Sequence, residues 1–405
     1  MRLYFAIMVF AVAAAVMPCS ASAASRYGRV IYALTANKQP TGPADVFERD
    51  LDTGKTKVLI SRKGFPNAFE GHIVSLAISP NGRSLAIIGK SGEGDRATDS
   101  IWVWEREHNR FRGLLGEQSH RYEHWWSPSG RYLLIRDSGT RVLFESRWVF
   151  ENDLWLYDAE RRQLRRLEQI KDPSIAAWST TDDAVIAAGR SGEGAIVYLL
   201  TPRTGRQQVL FKWPQAIYSI TPLGGGSGYA LSSGYSMNYV KTGIYLTDGR
   251  GGHPRKLAIP KVHENEATEE GGLSAGFALN GSGARLAVLA EYSHGMPALS
   301  WTKQLWCVEP RKLSSLLVGE WEGRDLFPDQ MEAPPWTYTS YDLVGWLPGG
   351  RSVLMCARTR GVKQDGSPAD HLALWAYDMA QQNAEGKQLF DSGPGCLGMT
   401  WWAGK

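Results

Sequence analysis

Residues 72–90, HIVSLAISPNGRSLAIIGK, place two apolar runs, Ile73 to Ile78 and Leu85 to Ile88, on either side of a Ser-Pro-Asn-Gly string. Asn81 and Gly82 both tolerate the positive φ of a tight turn, so this spacing predicts an antiparallel hairpin. A further β-rich run, SIWVWERE (100–107), follows a longer loop, and an apolar edge at Leu114-Leu115 comes after it. The unit is strand, tight turn, strand, longer loop, strand, turn, strand.

The rest of the chain repeats that unit. Its first half recurs as YEHWWSPSGRYLLIRDSG from Tyr122, SIAAWSTTDDAVIAAGRSG from Ser174 and IYSITPLGGGSGYALSSG from Ile217. LSAGFALNGSGARLAVLAEY from Leu273 and DLVGWLPGGRSVLMCARTRG from Asp342 are further copies. The second half recurs from Leu154, Ile196, Ile244, Leu305 and Leu374. The two ends are each incomplete: RVIYALTA begins without a first strand, and CLGMTWWAGK supplies a first strand and then stops. Joined, they make one whole unit, with Met399 to Trp402 expected against Val30 to Leu34. This predicts an all-β chain, a single seven-bladed β-propeller of four-stranded antiparallel blades. Pairing of the N- and C-terminal strands in one blade closes it, leaving no open sheet edge.

The bulk numbers fit a folded globular chain: 405 residues, 43% hydrophobic and 21% charged. A formal charge of +4 is small for this length and argues for neither nucleic acid nor a membrane surface as a partner. Met1 to Ala23 reads as a cleaved signal peptide, with Arg2, an apolar run and the small-x-small site Ala21-Ser22-Ala23. A lipoprotein signal is disfavoured because Pro18 precedes Cys19 where a small residue is required. The expected organisation is therefore a leader over 1–23 and a propeller over 24–405, periplasmic or secreted, with no membrane span in the mature form and a monomeric state. Cleavage leaves Cys307, Cys356 and Cys396, an odd number, so at least one thiol stays unpaired within the chain.

The S-P-x-G turns (Ser79 to Gly82, Ser127 to Gly130) and the L-W-x-Y-D strands (Leu154 to Asp158, Leu374 to Asp378) resemble the TolB-type, WD-like propeller repeat of bacterial periplasmic proteins and peptidase propeller domains. The resemblance covers essentially the whole mature chain and implies the fold. Such propellers serve as binding platforms and as enzyme scaffolds alike, so it implies no single activity.

The loops point to one face. First-to-second turns are tight, whereas second-to-third loops (Thr35 to Ala44, Lys90 to Ser100, Arg136 to Asn152, Ser232 to Gly243, Ala290 to Gln304, Arg358 to His371) and the connections Pro260 to Gly272 and Gly319 to Tyr341 are long. Long loops carry function more often than tight turns do. At the start of those loops Lys90, Arg136, Arg190 and Arg358 hold similar positions, with Glu291 in the corresponding place of another blade. They are expected to ring a channel mouth and favour a carboxylate-bearing ligand. Of the 16 tryptophans, most fall at repeat positions and read as core. Trp148, Trp213, Trp301, Trp321 and Trp336, with Tyr235, Tyr239, Tyr292, Tyr338 and Tyr341, fall in predicted loops and give that face an aromatic character.

Catalytic signals are weak. His263 to Glu270 is the densest metal-capable run but reads as a solvated loop, and His120, Glu123 and His124 lack the spacing of a zinc site. GKSGEGD (89–95) and GRSGEG (189–194) lie between strands, so they are not phosphate loops. No catalytic residue, metal or cofactor is assigned. The expected function is a non-enzymatic platform for a protein or an envelope glycan, with Lys90, Arg136, Arg190, Arg358, Tyr292, His294, Trp301, Trp336 and Tyr338 as binding residues. The alternative is a hydrolase or lyase, carbohydrate-active or otherwise, with its site in the central funnel.

Overall fold

The computed structural model describes residues 26–35, 44–66, 69, 72–91, 98–118, 122–137, 141–144, 147–150, 153–167, 173–179, 184–191, 194–235, 238–257, 273–294, 299–325, 336–362 and 371–403. The expected leader, and the acidic run 263–270, fall outside these residues. Seven four-stranded antiparallel sheets follow one another as blades of a propeller. Blade 1 is the closing blade: Cys396–Trp402 is its innermost strand and Arg29–Thr35, Ala44–Asp50 and Thr56–Ile60 complete it. The inner strands of blades 2 to 7 are His72–Ile78, Tyr122–Trp126, Pro173–Trp178, Ala216–Pro222, Leu273–Leu279 and Trp336–Trp346. The predicted closure is as expected, with Trp402 opposite Arg29, Trp401 opposite Val30, Thr400 opposite Ile31 and Met399 opposite Tyr32.

The core explains why the second strands read as unbroken apolar runs. Successive side chains of a strand face opposite sides of the sheet, and in a propeller both sides meet another blade. Leu85 and Ile87 join the core shared with blade 1, while Ala86 and Ile88 join the core shared with blade 3. The same split recurs at Leu286, Val288 and Ala290 against Ala287 and Leu289. One such core fills each junction around the ring, and the last, with Val30, Tyr32, Leu354 and Leu374, seals blade 7 against blade 1.

The tight turns also join neighbours. In blade 2 the fully buried Ser79 accepts the Ser84 N–H at its Oγ (2.9 Å), and the Gly82 N–H bonds the Ser79 carbonyl (2.7 Å). Gly82 takes φ of 70°, and a Cβ there would lie 2.3 Å from the Trp402 ring of blade 1. Blade 6 lacks Ser-Pro, yet Asn280 fills the serine's place by accepting the Arg285 N–H at 3.0 Å. Three tryptophans at one repeat position, Trp126, Trp178 and Trp346, donate their indole N–H to a carbonyl of the preceding blade's inner strand (Ala77, Trp125 and Ala278) at 2.8–2.9 Å.

Several predicted loops are strand instead. Ser232 to Gly243 is almost entirely strand, spanning Tyr229–Tyr235 and Asn238–Thr247. Ala290 to Gln304 is largely the hairpin Leu286–His294 and Leu299–Glu309, and Gly319 to Tyr341 is shortened from both sides by Ser314–Asp325 and Trp336–Trp346. Residues 141–144 and 147–150 form an inserted hairpin in blade 3. These extensions mix polar, charged and aromatic residues without strict alternation, so the sequence does not mark them as strand. Two predicted loop tryptophans also prove to lie in strands. Trp213 is buried in the outer strand of blade 4 and bonds Ser233 Oγ at 2.6 Å. Trp321 lies in the outer strand of blade 6, stacked on Tyr341 of blade 7 at 4.8 Å. No helix among the described residues is long and apolar enough to cross a membrane.

Candidate functional site

Second strands end, and inner strands begin, at the end of the propeller that carries the second-to-third loops. In blade 2 this puts His72, Lys90 and Asp99 in one row across three strands, because Lys90 pairs with both of the others in register. In blade 7 the equivalent row is Ser340, Arg358 and Leu372, with Thr359 opposite His371 one step further on. Both rows open onto a cavity of about 550 Å³ at this end of the ring. Lys90 and Arg358 line it together with His72, Asp99, Tyr122 and His371, while Cys396 and Leu397 of the closing blade lie between the two cations' blades.

The other predicted cations behave differently. Arg136 holds Glu123, its partner in register, in a 2.5 Å ion pair and is not among the residues lining the cavity. The register gives a reason: Arg136 is in phase with Leu134, whose side chain belongs to the core shared with blade 4. Glu291 pairs at 2.9 Å with Lys303, which is itself buried and donates to the Tyr341 carbonyl. For Arg190 the described structure is backbone alone, opposite Ala195. Lys90 and Arg358, both half-buried, have no carboxylate within ion-pair distance among the described residues.

Tyr292, His294, Trp301, Trp336 and Tyr338 are likewise described by backbone alone. All five lie on the extended strands of blades 6 and 7. Trp301 is opposite Ser293, one register step from Tyr292 and His294. Trp336 and Tyr338 are opposite Val362 and Arg360, in phase with Arg358.

The electrostatics of the cavity favour an anion. Burial, then the nearby Lys90 ammonium, hold His72 below its ordinary pKa against a weaker opposing pull from Asp99, so its imidazole is neutral at pH 7. Burial raises the Tyr122 hydroxyl, and the carboxylates of Asp137 and Asp99 add to that. Burial pushes the Cys396 thiol up to about 11 despite hydrogen bonds from its surroundings and the Arg358 charge, and pushes Cys356 up to about 12. Both thiols stay protonated at neutral pH, so neither is an activated nucleophile. Asp99 is the one carboxylate among the described lining residues, which leaves the lining net positive.

Sequence reasoning missed His72, Asp99, Tyr122 and His371. The first two were reachable, as register partners of Lys90. Tyr122 and His371 join the cavity only because their blades stand beside blades 2 and 1 in the ring. The string Gly272-Leu273-Ser274-Ala275-Gly276 has the spacing of a hydrolase nucleophile elbow. Ser274, however, lies within a regular inner strand opposite Glu291, where that motif requires a strand-to-helix turn. Among the described residues no group of three or more His, Cys, Asp or Glu side chains is placed to hold a metal ion.

No family model and no curated protein matches the chain. Solved structures do. A candidate 6-phosphogluconolactonase from Bacteroides fragilis superposes with a TM-score of 0.51 at 9% identity, over 94% of this chain and 99% of that one. The β-propeller domain of the Trilobed protease from Pyrococcus furiosus gives 0.49 at 14%, covering 90% and 94%. TolB from Acinetobacter baumannii gives 0.41 at 16%, over 74% of this chain, which spans 64% of TolB's length. At these identities the likeness is one of fold. The chain is a seven-bladed β-propeller, and its neighbours include TolB-like proteins.

Proposed function

We propose that this propeller is an exported, non-enzymatic binding platform that holds a protein segment or an envelope glycan at the channel mouth on the long-loop side. The observation that carries this reading is the pairing of Lys90 and Arg358 in one cavity with no ion-pair partner among the described residues. Half-buried cations with no ion pair among the described residues gain from a ligand anion. Protonated thiols and a neutral imidazole suit binding better than group transfer. In this reading the aromatic positions on the long strands of blades 6 and 7 add contact surface for the same ligand.

The test is capture. Immobilised mature protein should retain a discrete partner from a cell-envelope extract without altering it. The double variant Lys90→Glu/Arg358→Glu should release that partner while keeping its melting temperature. Retention by the double variant equal to that of the wild type overturns the mouth as the binding site.

A further inference from the structure

We infer that the occupant of this mouth is an extended acidic peptide segment carrying two carboxylates, one for Lys90 and one for Arg358. The inference rests on the mouth being the binding site and adds the chemistry of what enters it. Lys90 comes from blade 2 and Arg358 from blade 7, with the closing blade's inner strand between them. Each cation is thus presented from a separate wall, and two separated carboxylates match that layout better than one.

The remaining lining distinguishes a peptide from a sugar. Val74, Ile88, Leu372 and Leu397 add a minority of aliphatic surface to a lining that is otherwise mostly polar. Sugar sites rely on stacked aromatic faces and on several side-chain carboxylates or amides for the hydroxyl groups. Here, among the described lining residues, the rings are the buried Tyr122 and the imidazoles of His72 and His371, Asp99 is the sole carboxylate, and no amide side chain takes part. Two cations on separate blades, with little aliphatic surface, suit acidic side chains separated by small residues. Arg358 adds a planar fork that can hold a carboxylate through two parallel hydrogen bonds.

The probes are labelled peptides with two glutamates separated by one to three alanines, which span about 7 to 14 Å when extended. Their glutamine twins and trigalacturonate complete the set. The folded mature protein should bind one glutamate peptide at least about tenfold more tightly than its glutamine twin, a difference of about 1.4 kcal/mol. Affinity should fall as salt rises. Lys90→Gln and Arg358→Gln should each weaken the glutamate peptide by about tenfold and leave the glutamine peptide unchanged, with unaltered melting temperatures. Equal binding of the glutamate and glutamine peptides overturns the inference, as does wild-type affinity in both variants. Tighter binding of trigalacturonate than of any glutamate peptide overturns the peptide assignment. If no acidic probe binds while the mouth-dependent capture described above persists, this inference falls and the platform reading stands. Loss of both removes the two together.

Discussion

His124 carries a polar atom whose position makes a prediction. It lies on the inner strand of blade 3 between Tyr122 and Trp126, and its Nε2 is shielded from solvent with no hydrogen-bond partner among the described residues. Burial depresses its pKa from near 6.5 to about 4. Above pH 6.5 the imidazole is neutral folded or unfolded and contributes nothing to the pH dependence. Between pH 6.5 and 4 the unfolded chain takes up a proton that the folded chain refuses, so stability falls with pH, by up to about 3 kcal/mol. His72, also depressed, acts with the same sign. In His124→Phe, denaturant unfolding at pH 7 and at pH 4.5 should differ by clearly less than in the wild type. An undiminished difference would show that His124 is not the group involved. Glu48 titrates in a lower window. Its carboxylate is 2% exposed and pairs with Arg106 and Lys57 at 2.8 Å and with Arg29 at 3.4 Å. Burial alone would raise its pKa, but Lys57 and Arg106 outweigh it and hold the group below the usual carboxylate range. That contribution is present above about pH 4.5 and is lost as pH falls through the depressed value. Glu48→Gln should cost about 3 kcal/mol at pH 7 by stranding the Arg106 guanidinium between blades 1 and 2, a loss measurable as a shift in the urea midpoint.

At the scale of the element, the inner strands do two jobs: they edge the channel and they fasten each blade to the one before. The indole bonds of Trp126, Trp178 and Trp346 are three copies of one fastening. Replacing Trp126 or Trp346 with Phe removes the donor from a partly buried hydrogen bond, at a cost of about 0.5–1.5 kcal/mol each. The two lie in well-separated blades, so Trp126→Phe/Trp346→Phe should cost the sum of the single changes to within about 0.5 kcal/mol. Marked non-additivity in chemical denaturation would mean that the ring transmits strain between distant junctions. The strands of blades 6 and 7 are longer than most others, at 11 residues for Leu299–Glu309, Trp336–Trp346 and Ser352–Val362 and 12 for Ser314–Asp325. In blade 7 the extra length carries Trp336 and Tyr338 past Arg358 in register, opposite Val362 and Arg360.

For the whole molecule, the decisive feature is closure. The core at the junction of blades 7 and 1 includes Leu397's neighbours Cys396 and Met399 as well as Trp401, and Ile78 N–H bonds Thr400 Oγ1 on the blade 2 side. Deleting residues 396–405 therefore strips one strand that serves two junctions and leaves Arg29–Thr35 as an open edge. The truncated chain should lose several kcal/mol of stability and tend to associate. An unchanged melting temperature in calorimetry, with a monomeric profile, would contradict closure by this strand.

The fold was legible in the sequence because each blade repeats the same demand. A second strand with a blade on both sides must be apolar at every position, and a tight turn must contain residues that accept positive φ, so runs such as Leu85 to Ile88 and turns such as Asn81-Gly82 mark the unit each time it recurs. The split unit at the two termini disclosed the closure for the same reason. The site was legible only in part. Lys90 and Arg358 could be picked out as cations at matching positions, but so could Arg136, and local sequence does not say which of them is neutralised by a cross-strand carboxylate. Glu123 meets Arg136 through register, and Tyr122, His371 and Cys396 meet Lys90 and Arg358 because the ring brings blades 3, 7 and 1 around one opening. Register and ring closure are long-range properties, set by the summed packing of all seven junctions. The composition of the cavity is therefore decided by the tertiary structure.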